Sequence, residues 1–398
     1  MPGVACPHCY VRVEPRGLWY RCAGRGSAGR AGCAPAEDLE RRRLTGYAGL
    51  CLPSYPPLRQ GVVGIVGPAC PDCGGESGRR VCPNCHTPVP ADFGQSASPL
   101  VGLVGAKGTG KSVYLAVLAR ELTTSTRRRF DADVRLSGDR RSDQASSRDW
   151  LQQNVEAVYA EGHLPPQTPA AVNGRREPVV FQWRQEYRGR LRSRLRTSHL
   201  SFYDTAGEDL ASQEGTHDLN YLGAADALIV LLDPFMLPRA RASLGLPDAA
   251  LTSADPAGDV LNRVTRNVRD WRHLQDVDKL KLPVAVAFAK IDAFLDLLGP
   301  DHPLLRAPEP SSGYDEQAGE QTHEYVLGLL HDLGADGIDA HLRLNYANFR
   351  YFAISSLGAP PDYELGRIDP GGVRPLRVDE PLLWLLSHFG VIPVRGRR

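Results

Sequence analysis

The chain has 398 residues, 47 of them basic and 46 acidic, for a formal net charge of +1. That length allows two or three domains and a sizeable core, and the even charge balance excludes a global electrostatic pull towards nucleic acid or membranes. No apolar run approaches a membrane span, the longest being 227–232, and the opening MPGVACPHC lacks the charged and apolar regions of a signal peptide, so a soluble cytoplasmic protein is expected.

All nine cysteines fall before residue 86. Cys70-x2-Cys73 and Cys82-x2-Cys85 are two knuckles eight residues apart, with glycines between them. Each such pair presents two thiolates from one tight turn, and two turns complete a tetrahedral four-sulfur zinc site. Cys6-x2-Cys9 is half of a second site, with Cys22 and Cys33 as its completing pair, and Cys51 is left over as a buried small hydrophobe. With few aliphatic residues, this region of about 90 residues would take its folding energy from metal. The proline-bracketed PVPADFGQSASP, 88–99, reads as a polar linker into a second domain over 91–398.

That domain opens on an apolar strand, 100–104, followed by GAKGTGKS. Gly105, Gly110, Lys111 and Ser112 fill every fixed position of the phosphate-binding loop G-x-x-x-x-G-K-[ST], with Lys107 and Gly108 inside it. A helix-period stretch follows from Val113 through Tyr114, Leu115, Leu118 and Leu122. Glycines let backbone N–H groups close around phosphates, and the helix N-terminus adds its positive dipole end. Lys111 would reach the β- and γ-phosphates, and the Ser112 hydroxyl would sit on Mg²⁺. The expected fold class is therefore an α/β P-loop NTPase preceded by small zinc-ribbon-like modules.

About fifty further residues come before the next strand, a helical insertion near 126–177 with an apolar stripe at Trp150, Leu151, Val155 and Val158. Strands are predicted near 179–186 and 198–203, paired as a hairpin across Arg188-Gly189-Arg190, then near 226–232, 283–288 and 350–354. Arginines at 188, 190, 192, 194 and 196 share one face of that hairpin, a solvated face or a contact surface for an acidic partner or nucleic acid; no aromatic interleaving favours RNA or single-stranded DNA. The third strand ends in Asp204-Thr205-Ala206-Gly207-Glu208. An acid there would hold Mg²⁺ through water, and the Gly207 N–H would meet the γ-phosphate. A second insertion, near 237–277, ends in an amphipathic helix bearing Val260, Leu261, Val264, Val268 and Trp271. The last stretch, PLLWLLSHF at 381–389, reads as a helix packed on the sheet.

In this order, DTAG at 204–207, Ala289-Lys290-Ile291-Asp292 and Ser355-Ser356-Leu357-Gly358, each after its own apolar strand, resemble the guanine-nucleotide signature of Ras-like GTPases. The resemblance implies that Asp292 accepts from the guanine ring N–H and amino group, that Lys290 lies along the base, and that the Ser356 N–H meets the guanine carbonyl. It implies further that the mobile threonine capping Mg²⁺ and γ-phosphate lies shortly before the second strand, where Thr168 is the candidate; an ordinary loop threonine is the other reading. Two departures stand out. Ala289 replaces the usual Asn or Thr, removing one tie between base loop and phosphate loop, and Glu208 stands where Ras has its water-orienting glutamine.

A cysteine-rich module joined to such a domain, with a long helical interval before Leu164-Pro165-Pro166-x-Thr168, is similar to the bacterial double-GTPase proteins of the TRAFAC class. That similarity implies protein partners, another GTPase-like protein among them, in multi-protein, conflict-type systems. The expectation is a Mg²⁺-dependent GTP-binding switch or slow GTPase, with Lys111, Glu208 and Thr168 as its catalytic groups and zinc modules that dock partners. The rival readings are a non-hydrolysing adaptor that uses nucleotide as a structural or sensing ligand, and a P-loop ATPase.

Overall fold

The apolar runs after residue 99 form the strands of one large sheet. The computed structural model describes residues 3–57, 69–137, 147–166, 178–188, 193–204, 220–246, 250 and 257–396. These divide into two compact units, 1–98 with 197–199, and 99–196 with 200–398.

In the first unit, β1 (Trp19–Cys22) lies between β2 (Ser54–Tyr55) and β3 (Ser77–Val81), antiparallel to both. The described residues of this unit form two small cores. One gathers Cys6, Val13, Leu18, Cys82, Cys85, Val89 and Phe93, and the other Cys22, Tyr55, Cys70 and Cys73. Val89 and Phe93 belong to the stretch expected as a polar linker; both are buried, so its first half is part of a core instead.

In the second unit, β4 (Leu100–Val104), β5 (Ala132–Ser137), β6 (Val179–Arg188), β7 (Ser193–Asp204), β8 (Ala227–Leu232), β9 (Val284–Phe288) and β10 (Phe349–Ala353) form a seven-stranded sheet. Its order is β10-β9-β8-β4-β7-β6-β5. Strands β7, β8, β9 and β10 run parallel to β4 or to one another, so their C-terminal ends share one edge, where open α/β sheets bind ligands. Residues 100–104, 227–232 and 284–288 are buried throughout, as parallel strands covered on both faces must be.

Strand β5 corrects the sequence reading, which placed it in a helical insertion. It pairs antiparallel with β6, Val134 opposite Trp183, and extends the sheet by an edge. Its Ala132 and Val134 are buried while Arg135 between them and Leu136 is exposed, a period-2 pattern too short to stand out from sequence. The helical part of that insertion begins with Ser125–Phe130, directly after α1 (Lys111–Thr123), and continues in α2 (Ser147–Glu156). The second insertion ends in α3 (Ala257–Arg272), burying Val260, Leu261, Val264 and Val268. Beyond it come α4 (Glu316–Asp332), α5 (Asp336–Asn345) and α6 (Glu380–His388), and α6 buries Leu382 to Leu386 in the main core. No helix among the described residues is long and apolar enough to cross a membrane.

Candidate nucleotide site and cysteine clusters

The phosphate-binding loop leaves the end of β4 and turns into α1. Gly108 and Gly110 both take left-handed backbone, φ 78° and 85°, which side chains rarely adopt. Gly110 is the N-cap of α1, so the positive N-terminal end of that helix lies at the loop. A Cβ on Gly105 would come within 2.7 Å of Thr109 Oγ1 and 3.0 Å of the Leu231 carbonyl, so the loop closes only over glycine there. Thr109 Oγ1 donates to the Ala106 carbonyl at 2.9 Å, and Lys111 Nζ donates to the carbonyls of Gly105 and Ala106 at 2.7 and 2.8 Å.

A cavity of about 280 Å³ opens over this loop. Its walls bring together the predicted phosphate loop (Lys107, Gly108, Gly110, Lys111, Ser112, Val113), the base loop (Lys290, Asp292) and the closing loop (Ser355, Ser356, Leu357). These segments are far apart in sequence and meet because β4, β9 and β10 end on one edge of the sheet. Burial pushes the Asp292 carboxyl above its ordinary range, against a hydrogen bond from Ser355 and the charge of Lys290. Leu164, Pro165 and Pro166 also border the cavity. Thr168, Gly207 and Glu208 lie outside the described residues. So does the Asp204 side chain, whose backbone ends β7 opposite Leu103 of β4.

Ala289 cannot make the side-chain tie that Asn or Thr would provide, and other atoms hold the base loop. The Ala289 N–H donates to Leu232 O at 2.9 Å and the Ile291 N–H to Ile354 O at 3.2 Å. Lys290, in left-handed backbone at φ 55°, sends its ammonium to Asp233 Oδ2 at 2.7 Å and to Gly108 O in the phosphate loop at 3.4 Å. The same ammonium stands 4.4 Å from the centre of the Phe235 ring. Asp233 is almost wholly buried and also accepts from the Phe235 N–H at 3.0 Å, capping the turn after β8. Sequence reading missed Asp233, although an acid ending an apolar strand is the signal that found Asp204. Replacing Asp233 with alanine should destabilise the chain by about 2–3 kcal/mol, because a part-buried ammonium loses its counter-charge and the turn loses its cap. A urea melt at wild-type stability would contradict this.

Eight cysteines form two sets of four whose sulfurs all lie within 4.8 Å of one another: Cys6, Cys9, Cys82 and Cys85, and Cys22, Cys33, Cys70 and Cys73. The ligand residues are those expected from sequence, but their partition is not. The Cys70–Cys73 and Cys82–Cys85 knuckles serve different sites. The cause is β3, which converts the expected tight connection between them into an extended strand about 17 Å long at about 3.4 Å per residue. Its partner β1 puts Cys22 opposite Ser77, beside one knuckle, and Trp19 opposite Val81, beside the other.

Three knuckles share one turn. The N–H of the residue after the second cysteine (Tyr10, Gly74, His86) donates to the first cysteine's carbonyl at 2.8–3.0 Å, with φ between 54° and 67°. Sulfur pairs stand 3.5–3.8 Å apart, far beyond a disulfide bond. A tetrahedral ion with sulfurs at about 2.3 Å needs sulfur pairs about 3.8 Å apart, so both sets fit a four-thiolate metal such as Zn²⁺. Cys51 is buried outside both sets, with the Arg41 guanidinium donating to its sulfur at 3.1 Å.

No protein-family model matches the chain. It is 27% identical over 425 residues, covering 97% of this chain and 99% of the relative, to a Mycolicibacterium smegmatis protein provisionally named ESX-1 scaffolding and assembly protein SaeC. Among solved structures, the GTP-bound Ski7 GTPase-like domain of S. cerevisiae is 14% identical at a TM-score of 0.30, over 76% of this chain and 52% of that one. The GDP complex of sup35 is 11% identical at 0.24, over 70% and 41%. The signal recognition particle receptor SRb with GDP and Mg from Chaetomium thermophilum is 14% identical at 0.22, over 68% and 95%. This chain thus spans about half or less of the first two structures, and at these TM-scores the cavity's own residues carry the functional argument.

Proposed function

We propose that this chain is a guanine-nucleotide-binding switch with slow hydrolysis, carrying two structural zinc sites that build a docking module for a protein partner. The observation that carries the reading is the single cavity bordered by the phosphate loop, by Lys290 and Asp292, and by Ser355 to Leu357. Within it Lys111 and the loop N–H groups hold the phosphates, and Asp292 accepts two hydrogen bonds that guanine offers and adenine does not. Ser112, with Asp204 and Thr168, would hold Mg²⁺, which when bound neutralises charge on the phosphates. The relative is named for ESX-1 scaffolding and assembly, and by that likeness the partner would belong to such an assembly, where a nucleotide-dependent scaffold would have a use.

Hydrolysis should be slow in the isolated chain. Glu208 can orient water, but its charge repels the γ-phosphate unless a cation such as Lys107, which borders the cavity, offsets it. Single-turnover GTP hydrolysis should fall at least about tenfold in Lys111→Ala and measurably in Glu208→Ala. A brisk isolated enzyme indifferent to Glu208→Ala would contradict the hydrolytic part and favour another water-positioning group.

A further inference from the structure

The cavity has a wall that none of the nucleotide motifs supplies. After Ser355–Leu357 the chain does not run straight into α6. Residues 359–368 return to the cavity, and Ala359, Pro361 and Tyr363 line it together with Lys290 and Asp292. The Tyr363 ring meets Phe235 edge-on at 6.2 Å, and Phe235 is the ring that the Lys290 ammonium approaches. Tyr363 therefore stands at the end of the cavity that carries the base loop. Burial, with the charges of Asp292 and Asp233, holds its phenol protonated.

Tyr363 is held in place by a closed turn. Asp362 and Arg367 exchange backbone hydrogen bonds at 2.8 and 3.2 Å. Asp362 Oδ1 accepts from the N–H groups of Glu364 and Leu365 at 3.0 and 2.9 Å, and Gly366 at φ 64° lets the chain return. The returning limb is bonded to the segment that enters the cavity from the other side. Leu164 N–H donates to Gly366 O at 2.8 Å, and Ile368 N–H donates to Gly162 O at 2.9 Å.

We propose that Tyr363 is a base-contacting residue, its ring covering the purine at the Lys290–Asp292 end of the cavity, and that the 362–367 turn ties this contact to the Gly162–Pro166 segment. The inference rests on the nucleotide-binding reading and adds a residue to it. An aromatic face stacks on any purine, so Tyr363 adds affinity without choosing the base, a choice that falls to Asp292. Residues 162–166, bonded to the same turn, then respond to whether the base is in place.

The test uses the full chain, with GTP and inorganic tripolyphosphate as probes in calorimetric titrations. Tyr363→Ala should weaken GTP about tenfold and leave tripolyphosphate binding unchanged, while Tyr363→Phe, which keeps the ring, should bind both as wild type does. The unchanged tripolyphosphate affinity also reports that the phosphate loop is still folded. If Tyr363→Ala loses both probes, Tyr363→Leu, which keeps apolar bulk at the turn, should bind tripolyphosphate normally and GTP weakly. GTP bound by Tyr363→Ala or Tyr363→Leu as tightly as by wild type would overturn the proposal and leave the nucleotide reading standing. A wild-type chain that binds tripolyphosphate but not GTP would overturn both.

Discussion

A chain carrying Cys70→Ser together with Cys82→Ser should hold no zinc, whereas Cys6→Ser together with Cys82→Ser should keep one ion. The two double variants separate the interleaved partition from one in which sequence neighbours share a site, since the sequential arrangement predicts the opposite counts. The expected effect is large. A structural zinc contributes about 10–16 kcal/mol of binding free energy that is also folding free energy, and the described residues of the first unit set two small apolar cores beside it. Chelation of the wild-type protein should therefore unfold this unit, seen as loss of the Trp19 fluorescence environment, where the indole now stacks on His86 at 5.2 Å. Elemental analysis of the double variants gives the decisive count; one ion in the first and none in the second would overturn the partition.

The second large effect is on base selection. Asp292→Ala should weaken GTP by about 2–3 kcal/mol, roughly thirty- to a hundredfold, because two hydrogen bonds to a part-buried carboxylate are lost. ATP binding should change little. The same carboxyl gives a pH signature. Only its ionised form would accept both guanine hydrogens in the proposed contact, and burial holds its pKa above the usual carboxylate range. GTP affinity should accordingly fall as pH is lowered through that raised pKa, beginning at a higher pH than an exposed aspartate would give. Asp292→Asn should flatten the profile. A wild-type profile flat down to the ordinary carboxylate range would remove Asp292 from the base contact.

The motif residues that line the cavity were legible because each belongs to a contiguous stretch whose backbone geometry is local. Gly105 to Ser112 form a strand end, a glycine loop and a helix start, and the Lys290–Asp292 and Ser355–Leu357 loops each follow an apolar strand. Asp233 and Tyr363 were not read from sequence. Asp233 caps a local turn, but its place at the site comes from Lys290, 57 residues away, and Tyr363 sits in a polar loop whose course is fixed by hydrogen bonds to Gly162 and Leu164. The cysteine partition failed for a similar reason. The spacing of the knuckles was plain, but Ser-Gly-Arg-Arg-Val carries no strand pattern, and it becomes β3 because β1 supplies an antiparallel edge. Local chemistry was visible, whereas non-local pairing decided which pieces met.

Calorimetric titration of the wild-type chain with GTP and with ATP, in the presence of Mg²⁺, tests the central claim most directly. On the proposed reading the phosphate loop would serve either nucleotide, and Asp292 with the Ser355–Leu357 loop only guanine, so GTP should bind at least about tenfold more tightly than ATP. ATP binding as tightly as GTP, with Asp292→Ala affecting neither, would contradict it.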